Sequence, residues 1–198
     1  MELSGPVWLM QPIPYWGEKL QGDWIYEPKI DGWRLQVIKY QDGRVELWGR
    51  RLERSPNWTA KLSYLIPAFK ELPNGSLVDA ELYSTGGRRF IPSLFARKRK
   101  VDPIIYVFDV IFWEGEFVGN HKLRERKALL ETISWSPPVE VLRYDRIRNI
   151  REHWEAVIKS GGEGLVLKYL ESTYEVGRDG PIATQYWRKV KRGLYIER

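Results

Sequence analysis

The run Glu27-Pro28-Lys29-Ile30-Asp31-Gly32-Trp33-Arg34 holds the residues best suited to covalent chemistry. Lys29 ends a stretch rich in β-formers, just before an Asp-Gly turn, with Arg34 following. A lysine amine is a nucleophile only without its proton, and neighbouring cations and partial desolvation favour that loss. Gly32 would let a ligand approach the backbone closely. A plain hairpin turn with surface charges has the same local pattern, so this run alone does not decide.

Further groups follow in order. Asp79 and Glu81 close an apolar stretch and could hold a ribose hydroxyl or a divalent cation, or only cap a strand. Asp109 interrupts an apolar strand, which is costly unless the acid is paired or metal-bound. Its neighbour Phe108 could face a ligand or fill a core. Glu163 starts a strand that carries Lys168. Lys189 and Lys191 stand two apart, so in a strand they project together, a geometry suited to a polyphosphate; solvated surface lysines have the same spacing. A lysine nucleophile, acids for metal and ribose, a stacking ring and a lysine pair form a coherent set for transferring a nucleotide.

Strands must carry most of these residues. Residues 24–30 are rich in β-formers, and 33–40 alternate, with Trp33, Leu35 and Val37 on one side. Asp42-Gly43 turns the chain into 45–49. Residues 57–71 place Leu62, Leu65, Ile66 and Phe69 at helical spacing. Asn74-Gly75 precedes a strand over 77–83. Residues 92–100 read as a short basic helix, 104–113 as a strand, 122–133 and 148–160 as amphipathic helices, the second stopped by Gly161-Gly162. The last strands are 165–169 and 186–190. The pattern is α+β with much antiparallel pairing. No repeat or linker divides it; Pro137-Pro138 is the best candidate break and is short enough to be a loop, so residues 1–198 read as one domain.

Composition narrows the partners. A formal charge of +6 favours polyanions, although it also serves solubility. Ten Trp and 11 Tyr exceed what core filling usually needs, and such rings stack on bases. The absence of cysteine excludes disulfides, thiolate catalysis and zinc-thiolate sites. Residues 1–20 lack a long apolar run and contain Pro6, Pro12 and Pro14, so they read as neither a signal peptide nor a membrane span.

Taken in order, these segments resemble the covalent nucleotidyltransferases: DNA ligases, RNA ligases and mRNA capping enzymes. The likeness is strongest to ATP-dependent DNA ligases. Residues 29–34 match Lys-x-Asp-Gly-x-Arg, and Trp48-Gly49-Arg50 stands where the family has its next arginine, in degraded form. Residues 79–82 match Asp-Gly-Glu-Leu with Ala80 for glycine. Phe108-Asp109, then Glu163 to Lys168, then Trp187 to Lys191 follow. The resemblance implies the ligase/capping-enzyme nucleotidyltransferase fold, two mostly antiparallel sheets flanked by helices around a nucleotide cleft.

It implies a role for each matching position. Lys29 would attack the α-phosphate of ATP and carry AMP. Glu27 would accept from the adenine amine, Phe108 would stack on adenine, and Arg34 and Glu81 would hold the ribose. Arg50 would contact phosphate or a nick end, and Lys168 would join the nucleotide site. Asp31, Glu81 and Glu163 would bind Mg2+ or Mn2+. Lys189 and Lys191 would neutralise the α-phosphate. AMP would pass to the 5′-phosphate of nicked duplex DNA, and a 3′-hydroxyl would displace it. Arg88, Arg89, Arg97, Lys98, Arg99, Lys100 and Arg192 would hold the DNA backbone, with Arg198 as a further candidate.

An OB-fold domain normally follows the last lysine in this family, and only residues 192–198 follow here, so none is expected in this chain. The alternatives are an RNA ligase, or a mixed DNA/RNA end joiner acting on RNA-containing nicks, and, more remotely, a capping enzyme or a non-catalytic nick-binding module. NAD-dependent ligases are disfavoured by Arg34 and the missing cysteines. A monomer in the cytoplasm or on the nucleoid, of phage or prokaryotic origin, is the expectation.

Overall fold

The computed structural model describes residues 1–192. Its strands are β1 (Met10–Pro14), β2 (Trp24–Pro28), β3 (Trp33–Lys39), β4 (Val45–Gly49), β5 (Ser76–Ser84) and β6 (Pro103–Trp113), then β7 (Glu116–Phe117), β8 (Val139–Val141), β9 (Asp145–Arg146), β10 (Gly164–Tyr169) and β11 (Ile182–Lys191). The α-helices are α1 (Leu123–Leu130) and α2 (Ile150–Lys159). One sheet runs β1-β11-β10-β2-β9. The other runs β4-β3-β5-β6-β7, with β8 beside β6. Pairing is antiparallel except for β1 with β11 and β6 with β8. This is the expected α+β architecture of two mostly antiparallel sheets.

Strand alternation sorts the apolar residues into layers. Leu35 and Val37 of β3 join Leu47, Val78, Ala80 and Leu82 on the outer face of the second sheet. Leu62, Leu65, Phe69, Ile91, Leu94 and Leu130 cover that face. Between the sheets, Leu9, Met10 and Trp187 meet Ile38, Phe108, Ile111 and Phe112. On the outer face of the first sheet, Leu165, Leu167 and Val190 pack with Ile150, Trp154 and Val157 of α2. Gln36 is fully buried, and its amide pairs with both backbone groups of Val7, accepting at 2.8 Å and donating at 3.0 Å.

Two predicted helices take another form. Residues 57–71 contain a 3-10 helix, Ser63–Phe69, in place of an α-helix. Pro67 lies inside it and has no N–H for an α-helical ladder, yet Leu62, Leu65 and Phe69 are buried as their spacing requires. The basic helix over 92–100 is a 3-10 helix at Arg88–Phe95 instead, and Ala96 turns to extended backbone. Residues 97–100 therefore form no helical face. Strands β1, β7, β8 and β9 were not legible in the sequence. Three are very short, and β1 carries Pro12 and Pro14, which an edge strand tolerates. Among the described residues, no helix is long and apolar enough to cross a membrane.

Candidate active site

The two sheets enclose a cleft of about 860 Å³. The first sheet contributes Glu27, Lys29, Val166, Lys168, Trp187, Lys189 and Lys191, and the second contributes Arg34, Glu81 and Phe108, with Arg50 just beyond β4. Register explains the convergence. Val166 of β10 lies opposite Glu27 of β2 on one side and Lys189 of β11 on the other. Residues two apart on each strand then share the cleft face. Lys29 stands one residue past β2, tied by its N–H to the Gly164 carbonyl at 2.8 Å.

Lys29 and Lys191 share one acid. Glu163 accepts from Lys29 Nζ through Oε2 and from Lys191 Nζ through Oε1, each at 2.9 Å. Burial opposes the charged form of Glu163, but the hydrogen bonds and charges of the two lysines outweigh it and hold the carboxyl below its ordinary value. Lys189 is pushed the other way for a base: burial, then Lys191, Lys29 and Arg50, lower its affinity for a proton. Gly164 permits this assembly, since a Cβ there would lie 2.0 Å from the Val190 carbonyl oxygen.

The deep end of the cleft is polar beneath aromatic rings. Glu27, almost wholly buried, takes Lys168 Nζ on Oε2 at 2.7 Å and Lys127 Nζ on Oε1. Lys127 also donates to the Phe108 carbonyl at 2.9 Å. That carbonyl is free to turn because Ala80 pairs with Val107 and Asp79 with Asp109, leaving Phe108 in a β-bulge. Lys168 Nζ lies 4.3 Å from the Phe108 ring centre and 3.9 Å from that of Trp187. Burial is the main reason that its pKa falls to about 8, partly offset by Glu27. The Trp187 indole N–H is buried without a hydrogen-bond partner among the described residues.

Arg34 is committed to the protein. It donates to both oxygens of Asp79, at 2.6 and 2.5 Å, and to the Met10 carbonyl at 2.9 Å. Tyr174 donates to the same carboxylate at 2.6 Å and accepts from the Met10 N–H at 3.1 Å. Asp79, read as a possible ligand-binding acid, is thus a buried structural partner of Arg34. Asp109 is likewise paired, with Arg126 at 2.8 and 3.1 Å, both fully buried. Glu81, beside Arg34 and Lys29, is lifted by burial to about 7 despite both cations.

Gly32 has a different reason from the one expected. A Cβ there would lie 2.3 Å from the Leu82 carbonyl oxygen and 2.9 Å from Glu81 Cγ, so the glycine lets the start of β3 pack on β5. The three acids read as one metal set do not converge: no group of three or more potential metal ligands occurs among the described residues. Asp31 pairs with Arg88 at 3.0 Å and is half-exposed, Glu163 holds two lysines, and Glu81 faces Arg34. Mg2+ retains water and takes one or two carboxylates plus phosphate oxygens. Glu163 and Asp31, on the cleft wall beside Lys29, suit that donor set without forming a protein cage.

The basic residues are dispersed. Arg88 lines the cleft and also donates to the Gly32 carbonyl at 2.8 Å. Arg89 lies over Phe90, Arg99 lies 3.7 Å over Tyr64, and Arg97, Lys98, Lys100 and Arg192 are exposed outside the cleft wall. Arg198 falls outside the described residues. Sequence reasoning missed Arg51, Arg54 and Trp58 at the cleft and the buried pair Arg126 and Lys127. The signal for that pair was present: Leu123, Arg126, Lys127 and Leu130 form the buried stripe of α1, with cations at two positions where apolar side chains belong.

The ATP dependent DNA ligase domain family matches residues 10–191. The chain belongs to this ligase family. A DNA ligase of Thermococcus onnurineus is 31% identical over 185 residues, covering 84% of this chain and 32% of its own length. The multifunctional non-homologous end joining protein LigD of Pseudomonas aeruginosa is 30% identical over 185 residues, covering 89% of this chain and 21% of its own. Mycobacterial DNA ligase D, solved with ATP and MES, superposes with a TM-score of 0.71 at 22% identity, over 93% of this chain and 60% of that one. That likeness establishes the fold. The ligase-family region here spans about a third of the archaeal ligase and a fifth of the LigD protein.

Proposed function

We propose that residues 1–198 act as the adenylation domain of an ATP-dependent DNA ligase that seals 5′-phosphate/3′-hydroxyl nicks through AMP carried on Lys29. The observation that carries this reading is the pairing of Lys29 with Glu163 in a cleft that also holds Lys189 and Lys191. Adenine enters the deep end, against Phe108 and Trp187, with its amine on Glu27. Glu81 takes the ribose. The α-phosphate lies at Lys189 and Lys191, where charge that builds during transfer is neutralised.

Attack requires the Lys29 ammonium to pass a proton to solvent water at the partly open cleft and to release its hydrogen bond to Glu163. Its lone pair forms a P–N bond to the α-phosphorus as the bond to the bridging oxygen breaks, and pyrophosphate leaves with that electron pair. The 5′-phosphate of a nick then displaces Lys29 from AMP, and the 3′-hydroxyl displaces AMP from the DNA. Glu163 and Asp31 would hold Mg2+ or Mn2+, which screens phosphate charge when bound. Arg50 and the basic residues near the cleft take the DNA backbone. The enzyme acts as a cytoplasmic monomer.

Intact mass after incubation with ATP and Mg2+ is the test. A gain of one AMP, lost in Lys29→Ala, supports the proposal, and no gain with the native chain rejects it. Labelled DNA and RNA nicks run in parallel then measure strand preference.

A further inference from the structure

We infer that Lys127 is a positioning residue for base selection: with Lys168 it clamps both oxygens of Glu27, so the cleft floor presents a fixed acceptor that takes a 6-aminopurine and refuses a 6-oxopurine. This rests on the proposal that the base lies against Glu27 and deepens it.

Lys127 reaches the floor from α1, outside both sheets. Its ammonium is held by Glu27, by the Phe108 carbonyl at 2.9 Å and by the Tyr144 ring, whose centre is 4.6 Å away. Both residues proposed to touch the base are therefore anchored by one side chain, Glu27 at its carboxylate and Phe108 at its bulged backbone. A carboxylate flanked by two ammonium groups only accepts hydrogen bonds. The 6-amine of adenine donates to it, while a 6-carbonyl would set lone pairs against lone pairs in a buried site. With Lys127 gone, Glu27 keeps Lys168, so the carboxylate is not left unpaired, but it loses its second anchor and can swing.

The experiment uses the full chain, native and with Lys127→Met or Lys127→Gln, and compares ATP with inosine triphosphate, whose 6-carbonyl stands where ATP has its 6-amine. Tryptophan fluorescence follows binding, and intact mass follows the adduct. In Lys127→Met, KM for ATP rises and the preference for ATP falls roughly tenfold, while kcat with ATP stays within about twofold. Lys127→Gln, which still donates to Glu27, keeps an intermediate preference. An unchanged ratio, or equal loss with both nucleotides, overturns the inference. Should Lys127→Met not fold, an unchanged ratio in Lys127→Gln overturns it alone. Absence of any adduct from the native chain sinks the proposed function instead, and the binding ratio still judges Lys127.

Discussion

Glu163 accepts a hydrogen bond from Lys29 Nζ at 2.9 Å across 134 positions of sequence. The same carboxylate bonds Lys191, so one acid sets the spacing of two amines at the cleft mouth. Glu163→Gln makes the Lys29 proton easier to lose, but it also removes the carboxylate that holds both amines in place and would bind the metal, and that loss is the larger effect. Adenylation of Lys29 is expected to slow on the order of 100-fold. Single-turnover mass measurements check this, and a native rate would remove Glu163 from the mechanism.

Lys189 is held among Lys191, Lys29 and Arg50 at a loss, since burial and like charges both disfavour its cation. Lys189→Met relieves that repulsion and removes a phosphate partner. Its melting temperature should equal or exceed that of the native chain while adenylation falls on the order of 100-fold. A large drop in melting temperature would mark Lys189 as structural.

Glu81 makes stability depend on pH. Its carboxyl ionises near 4.5 in an unfolded chain and near 7 when folded, because burial disfavours the charge. Folding therefore takes up a proton between those values. The stability contributed is full below about 4.5, declines as pH rises and is gone above about 7. Glu81→Gln removes this slope. Its gain over the native chain should be larger by about 1–3 kcal/mol at ~pH 8 than at ~pH 4.5, measured by urea unfolding. Parallel pH profiles of the two chains would contradict it.

Gly32→Ala drives a methyl into the Leu82 carbonyl. The start of β3 must shift from β5, at a cost of about 1–3 kcal/mol. Thermal melts should show the loss with and without ATP, because the clash lies within the protein.

Residues 97–100 carry four cations that lie exposed beyond the 3-10 helix at Arg88–Phe95. Replacing all four by Ala should weaken nick binding and flatten its salt dependence, by roughly 0.9 in logarithmic slope for each phosphate that is no longer neutralised. Equal binding at all salt concentrations would assign DNA binding elsewhere, for instance to Arg50, Arg51 and Arg54 on the cleft rim.

Local chemistry was legible in the sequence because it is local. Alternation in 33–40 grouped Trp33, Leu35 and Val37 on one face of β3, although the opposite face, with Gln36 and Ile38, is buried as well. Asp42-Gly43 and Asn74-Gly75 marked their turns, and the order of Lys29, Glu81, Phe108, Glu163 and Lys189 pointed to nucleotide transfer. Partner choice was not legible, since it depends on strand register and on which strands become neighbours. Asp79 looked like a possible ligand-binding acid until tertiary packing supplied Arg34, and Asp109 had to be paired or metal-bound, a choice that only packing against Arg126 decided. Gly32 looked like room for a ligand until Leu82 came against it. Lys127 was not singled out within the amphipathic helix predicted over 122–133, and only its burial beside Glu27 gave it a role. A side chain's type is set by the sequence, but its electrostatic partner and its exposure to water are set by residues up to a hundred or more positions away, and only the folded chain brings these together.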